Sequence, residues 1–559
     1  MRSKGVSSDS AGLVSVFVLT IAGFLTRIYP LRMSQFPFNN DSMTECGIAS
    51  EILSSGHLEF SPGTAWYGTH TVVMPIYDTM IAFVSGMLGM APVECAQIMN
   101  GVIAMTTVGS LYLLGRLFSG SFSGGVVAGL LAVTMGTFVF TTASVWKETL
   151  GIVLFLLALL SYMRRDDMRF RVLTFAILML VPFTHHLVAA VTFITFTFLL
   201  VWAWFYAIAR QSVGKRHFYD SVMIGLPSLE AVLYYSVVAK DSFGDILSPL
   251  RILLLIAGFI ALNLVGIVIL SRKKHLKVSF APFVGAALLA LIVFDYLGFV
   301  FPYSPSATDA YLVLVLAAAY LVTLAWYGTE HLVENRGMLR AVQVALLIAP
   351  LAIVGVGFVE GFSLASHKIL YRSFDFFDPF LFVGVSVAIV VLGKKRRVLY
   401  ALIVAGLIVA SCVSFPFAFE SDRLLGIRHD TQGYEIDGIL WIEEHVDNPK
   451  VISDERIGYI GLALAGFDKY SSLPHYLRDD IPISTEVVCF IEESWTTTGV
   501  NDYPNGLYVT PMLNYTLTLL SSNVFYVGGP LDDKASLFIV SEYGYIAVYG
   551  PPGMEEVDS

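Results

Sequence analysis

Apolar runs of about 20 residues recur along the chain as far as residue 418, and each is long enough to cross a bilayer as one helix. Only 14% of the 559 residues are charged, against about 25% in a typical soluble protein. The sequence therefore predicts a polytopic α-helical membrane protein. The candidate spans are 11–31, 95–117, 121–143, 149–163, 169–184, 187–209, 218–238, 250–271, 278–299, 309–327, 339–360, 374–393 and 396–418.

Basic clusters between these runs predict the orientation. Each cluster is separated from the next by two spans, so all lie on one face, which the positive-inside rule assigns to the cytoplasm. The run 72–90 is ambiguous, because counting it as a span would disturb this alternation. We interpret it as an interfacial or re-entrant helix; the alternative is a true span with one helix misassigned elsewhere. About thirteen spans follow, with a cytoplasmic amino terminus. The clusters lie around Arg164–Arg171, Arg210–Arg216, Arg272–Lys277, Arg336–Arg340 and Lys394–Arg397.

Charge divides the chain in two at residue 419. Residues 419–559 contain 23 acidic and 7 basic side chains, a net charge of −16, which leaves +6 for residues 1–418. We expect a transmembrane domain over 1–418, with a long first outer loop at 32–94, and an extracytoplasmic α/β domain over 419–559. A helix is expected near Gly438–His445, with strands near 487–491, 523–527, 537–540 and 545–549. The acidic tail argues against a nucleic-acid partner.

The first outer loop contains two candidate catalytic carboxylates, Asp41 and Glu45, four residues apart. A helix would place both on one face. A carboxylate beside a membrane can act as a general base or help to hold a divalent cation. Two simpler interpretations remain open: Asp41 is only solvated, and Glu45 completes a capping box with Ser42.

Candidate partners lie in the other outer connectors. Glu148 begins a span and would be a second carboxylate, or simply a residue favoured by the helix dipole. Cationic groups could bind the phosphate of a lipid-linked substrate or anchor to lipid headgroups. An imidazole at the outer end of a span could bind phosphate or merely be hydrogen-bonded there. These candidate phosphate-binding residues are Lys147, His185, His186, Lys368 and Arg372.

Phe38-Asn-Asn-Asp41, followed by the segment 51–60, resembles the acidic first outer loop of the GT-C membrane glycosyltransferases. The likeness is greatest to the catalytic subunit of oligosaccharyltransferases. Their second acidic site falls on Ser144–Glu148, and their mobile outer loop falls on Ser304–Asp309, which makes Asp309 a candidate acceptor-loop residue. Their Trp-Trp-Asp motif is absent from 419–559, where Trp441 and Trp495 stand alone.

The resemblance implies an enzyme in the cell membrane that moves a sugar or oligosaccharide from a polyprenyl-phosphate or pyrophosphate donor to a protein, glycan or lipid acceptor. The transfer would take place on the outer face. Asp41 and Glu148 would hold Mg²⁺ or Mn²⁺ if a metal is used. Two other classes remain open: a transporter or flippase of lipid-linked glycans, which would favour repeats and broken helices, and a non-catalytic membrane assembly protein.

Overall fold

The computed structural model describes much of the membrane part of the chain and several elements of the tail. The described residues are 10–39, 41–58, 73–239, 258, 281–296, 309–332, 337–359, 372–395, 397–419, 429–445, 450–453, 455–465, 469–472, 488–492, 500–502, 506–508, 535–541 and 544–549.

Helices make up nearly all of the described part of 1–418. The first outer loop contains α2 (Ser42–Ser55) and α3 (Ile76–Leu88). The others are α1 (Ser10–Arg27), α4 (Pro92–Ser119), α5 (Phe122–Thr134), α6 (Gly136–Ala143), α7 (Lys147–Tyr162), α8 (Met168–Leu180), α9 (His186–Ala209), α10 (Lys215–Leu233), α11 (Ala281–Tyr296), α12 (Asp309–Leu332), α13 (Gly337–Val359), α14 (Asp378–Lys395) and α15 (Arg397–Ser414).

Seven helical segments among the described residues are long and apolar enough to cross a membrane, or eight if a bent pair counts as one span. The protein is therefore a multi-pass membrane protein. The sequence-based count of about thirteen spans stays a prediction, and the run 250–271 lies outside the described residues apart from 258. The ambiguous run 72–90 contains α3, whose 13 residues are short for a span and fit the interfacial interpretation.

The bent pair consists of α5 and α6, which meet at Met135 at an angle of 65°. Gly136 is required there, because a Cβ on it would lie 1.9 Å from the carbonyl oxygen of Ser414. The break frees backbone groups, which must find partners in a membrane. Arg27, fully buried at the end of α1, donates to the carbonyl of Ala132 at 2.7 Å and to Thr142 Oγ1 at 2.9 Å. These bonds fix the course of α6 towards the outer connector that follows it.

The tail contains two helices, α16 (Gly433–His445) and α17 (Glu455–Ala465), and a five-stranded sheet of order β2-β1-β3-β7-β6. Strand β1 pairs in parallel with β2 and β3, and β7 pairs antiparallel with β3 and β6. The predicted run 523–527 lies outside the described residues. The strands are β1 (Lys450–Ser453), β2 (Lys469–Ser472), β3 (Val488–Glu492), β6 (Ala535–Ser541) and β7 (Gly544–Tyr549), with a separate hairpin of β4 (Val500–Asp502) and β5 (Gly506–Tyr508).

The tail packs directly on the first outer loop. Met43 of α2 is buried in one cluster with Ile436 and Ile439 of α16 and Ile457 and Ile460 of α17. The amide of Asn39 donates to the carbonyl of His429 at 2.9 Å. The start of α2 and the two helices of the tail therefore lie together in the structure.

Candidate active site between the first and second outer connectors

Backbone and amide hydrogen bonds join the first outer loop to the connector between α6 and α7. The amide of Val145 donates to the carbonyl of Phe38 at 3.0 Å, and Asn39 Nδ2 donates to Ser144 Oγ at 3.0 Å. Gln97 of α4 is fully buried; its Oε1 accepts from the Phe38 amide at 2.8 Å. These bonds fix the two segments from which the candidate carboxylates Asp41 and Glu148 arise.

Asp41 lies at the start of α2, directly after a strained turn. Asn39 has a φ of 99°, a conformation that few residues other than glycine adopt, and its Oδ1 accepts from the Asp41 amide at 3.0 Å. Asp41 uses no side-chain oxygen to cap the helix. Its carboxylate is 41% exposed and lies 3.7 Å from Nη2 of Arg372, which is 35% exposed. An accessible carboxylate and an accessible guanidinium therefore face the same space.

Glu148 approaches this space from the first turn of α7. Its side chain is 1% exposed, and neither carboxylate oxygen has a hydrogen-bond partner among the described residues. Burial, followed by the charge of Asp375, raises the pKa of Glu148 to about 8; Arg372 opposes this rise and Asp41 adds to it. A buried carboxylate without a partner is costly, and such groups concentrate at functional sites.

The structure brings together Asp41, Glu148 and Arg372, which the sequence indicated separately. Asp375, which the sequence analysis did not select, belongs to the same group. A signal was available, since Asp375 and Asp378 lie within the predicted span 374–393, and an ionisable residue inside a predicted span indicates a functional site. The Arg372 guanidinium also lies 5.7 Å from the centre of the Trp146 ring, which adds an aromatic surface.

Glu45 and Lys147 lie beside this space in a buried ionic cluster with Asp78 of α3. Lys147 Nζ lies 2.6 Å from Asp78 Oδ2 and 3.2 Å from Glu45 Oε2, and all three side chains are at most 5% exposed. Burial, followed by the charge of Asp78, raises the pKa of Glu45 well above its usual value. The capping-box interpretation of Glu45 was wrong, because Ser42 Oγ donates instead to the carbonyls of Pro37 and Asn39.

The roles first given to Glu45 and Lys147, catalysis and phosphate binding, stay predictions. In this structure the Lys147 ammonium is flanked by two carboxylates and has little open surface.

The two histidines lie at the start of α9, with His185 at the N-cap and His186 as the first residue of the helix. His185 is 6% exposed, and its ring centre is 4.7 Å from that of His186. Burial, with the positive charges of His186, Arg372 and Lys147, lowers the pKa of His185 well below its usual value, so the ring is neutral near pH 7. The backbone amide of His186 donates to Met74 Sδ at 3.2 Å.

The structure tests neither of two further predicted residues, Lys368 and Asp309. Lys368 lies outside the described residues. Asp309 is the first residue of α12, and its role in an acceptor loop stays a prediction.

No family model matches this chain, and no curated protein sequence matches it. Solved structures do match, and they show the fold. The oligosaccharyltransferase of Archaeoglobus fulgidus in its apo form aligns with a TM-score of 0.54 at 12% identity, over 99% of this chain and 76% of that one. The chain therefore has the GT-C fold, and the likeness predicted from the first loop is confirmed at the level of the fold.

Two other structures of the archaeal enzyme from Archaeoglobus fulgidus contain bound molecules. AglB in complex with an inhibitory peptide and a dolichol-phosphate aligns with a TM-score of 0.52 at 13% identity, over 97% of this chain and 74% of that one. The enzyme in complex with Zn and sulfate aligns with a TM-score of 0.51 at 12% identity, over 96% and 73%.

Proposed function

We propose that this chain is a membrane glycosyltransferase that transfers a sugar or oligosaccharide from a polyprenyl-phosphate-linked donor to an acceptor on the outer face. The observation that carries the proposal is the meeting of Asp41, Glu148 and Arg372 where two outer connectors join. The fold supports it, because the archaeal oligosaccharyltransferase with the same fold has been captured with a dolichol-phosphate and a peptide.

The reaction is a displacement at the anomeric carbon of the sugar. The acceptor nucleophile forms a bond to this carbon while the bond from the carbon to the donor phosphate breaks, and the phosphate leaves with the electron pair. Asp41 is exposed enough to reach an acceptor and takes the proton that the nucleophile loses. Arg372 stabilises the negative charge that develops on the phosphate oxygens.

The residues fit a divalent cation shared with the substrate. Glu148 has two buried oxygens without hydrogen bonds, and Asp41 carries a second carboxylate nearby. No group of three or more His, Cys, Asp or Glu within the described residues forms a metal site. Mg²⁺ is commonly held by one or two carboxylates together with substrate phosphates, so two protein ligands suffice. When bound, the cation would neutralise the donor phosphate in a site rich in carboxylates.

The transmembrane helices would hold the polyprenyl chain of the donor. Residues 419–559 of the protein would contact the acceptor. This arrangement is supported by the contact of α16 and α17 with α2, which places described parts of the tail beside the helix that Asp41 begins. We propose that this shared side is the outside, as the basic clusters indicate. Reporter tags at residues 41 and 500 should both be accessible from outside intact cells.

The proposed function is tested with purified full-length protein in nanodiscs, supplied with radiolabelled dolichyl-phosphate mannose or dolichyl-phosphate glucose and a cell-envelope extract as acceptor. We expect transfer of label by the wild type, its loss with a chelator, and recovery on adding Mg²⁺ or Mn²⁺. Glu148→Gln should lower transfer by about 100-fold, since charge at a reaction centre is worth several kcal/mol. Unchanged transfer by Glu148→Gln would remove this carboxylate from the mechanism.

A further inference from the structure

The buried cluster of Glu45, Asp78 and Lys147 joins three helices that are distant in sequence. Glu45 belongs to α2, Asp78 to α3 and Lys147 to α7, and their charged atoms meet at 2.6 and 3.2 Å. The two helices of the first outer loop are thereby tied to the span that carries Glu148. The proposed mechanism does not use any of these three groups.

The cluster is placed to control the distance between the two candidate catalytic carboxylates. Glu45 lies one helical turn after Asp41, and its amide donates to the Asp41 carbonyl at 3.1 Å. Lys147 immediately precedes Glu148 on the opposite segment. Moving the ammonium away from the carboxylates would therefore shift α2 relative to α7, and Asp41 relative to Glu148.

The balance of charge in the cluster indicates which protonation state is stable when the cluster is buried. One ammonium lies between two carboxylates, and an excess negative charge buried there would be costly. A neutral carboxyl at Glu45 would leave no excess negative charge around the Lys147 ammonium. The raised pKa of Glu45 agrees with this state, in which Glu45 is a hydrogen-bond donor.

We propose that Glu45, Asp78 and Lys147 are positioning residues that hold the first outer loop against α7, so that Asp41 and Glu148 face one reaction space. The proposal rests on the proposed function for its catalytic consequence, but its structural part stands alone. It replaces a direct chemical role for Glu45 with a role in which the neutral form is sufficient. Glutamine should therefore serve at position 45, whereas alanine should not.

The test compares Glu45→Ala, Glu45→Gln, Asp78→Asn and Lys147→Met in nanodiscs by two measurements. The first is hydrogen exchange over residues 42–55 and 76–88. The second is the rate of dolichyl-phosphate mannose consumption per folded protein, with kcat and the KM for this donor measured separately. Arg165→Met is the matched control, because it breaks another buried ion pair, in which Arg165 Nε lies 3.0 Å from Asp220 Oδ2.

We expect Lys147→Met and Glu45→Ala to accelerate exchange in both segments and to lower kcat by about 100-fold, the cost of a small misplacement of reacting groups. The KM for the donor should change by less than about threefold, since phosphate binding is not removed. Glu45→Gln should restore both measurements towards the wild-type values, and Arg165→Met should leave exchange in both segments and kcat unchanged.

Two outcomes would overturn the proposal. Wild-type exchange in Lys147→Met would show that the cluster does not hold the loop. Equal loss of activity in Glu45→Gln and Glu45→Ala would show that the carboxylate itself reacts. A wild-type protein that consumes no donor would instead contradict the proposed function, and hydrogen exchange would still decide the positioning role.

Discussion

Nη2 of Arg372 lies 3.7 Å from Oδ2 of Asp41, and both side chains are more than one-third exposed. An ion pair this open to water contributes only about 0–1 kcal/mol to stability. The pair is therefore a poor structural device. The pair lies beside the buried carboxylate of Glu148. This position suits an arginine that leaves Asp41 to bind the phosphate of the donor.

Replacing Arg372 should weaken the donor interaction while sparing the fold. We expect Arg372→Ala to lower kcat/KM for a dolichyl-phosphate sugar by about 10- to 100-fold, the loss of a hydrogen bond between charged groups. The kcat/KM of Arg372→Lys should lie between those of the wild type and Arg372→Ala, because lysine keeps the charge and loses the planar fork of donors. The melting temperature in detergent should stay near that of the wild type. A large drop in melting temperature with unchanged kcat/KM would assign Arg372 to the fold.

The break between α5 and α6 gives a stability prediction with a built-in control. Gly136→Ala would place a Cβ 1.9 Å from the Ser414 carbonyl, a backbone atom that cannot move aside easily. We expect a loss of several kcal/mol or a failure to fold, as for other overpacked positions. Gly225→Ala in α10 meets nothing within 4 Å and should be neutral or slightly stabilising. The yield and melting temperature of the two variants measure this difference, and equal values would contradict the close contact.

The pH dependence of stability tests the protonation of Glu45. Because the folded pKa of Glu45 is raised, the folded state keeps a proton that the unfolded chain releases above about pH 4.3. The wild type should therefore lose stability as pH rises above about 5, by at most about 1.4 kcal/mol per pH unit from this group. Glu45→Gln cannot titrate, so its melting temperature relative to that of the wild type should rise over the same range. Parallel curves would show that Glu45 is ionised in the fold.

Much of the site could be predicted from the sequence, because its charged residues lie in loops or connectors next to apolar runs. Asp41 lies in a long polar loop beside a membrane, and Glu148 and Arg372 lie in short outer connectors between apolar runs. The positive-inside rule placed all three on one side, and the structure brings them together.

Other contacts could not be predicted, since they depend on how helices pack. Nothing in the local sequence of Asp78 or Lys147 indicates that α3 and α7 meet, so the ion pair between these two residues was not predicted. Periodicity shows which residues share a helix face and does not show which helix covers that face. Asp375 was missed for a related reason, because it was counted within an apolar run.

The most direct test of the account is the transfer of label from radiolabelled dolichyl-phosphate mannose or glucose by Asp41→Asn protein in nanodiscs, with Asp437→Asn as the control. Asp437 is an exposed aspartate of α16 and takes no part in the proposed proton transfer or phosphate binding. We expect Asp41→Asn to lower transfer by at least about 100-fold, the contribution of a general base, and the control to equal the wild type. Transfer by Asp41→Asn at the wild-type rate would contradict the central claim that this carboxylate acts on the acceptor.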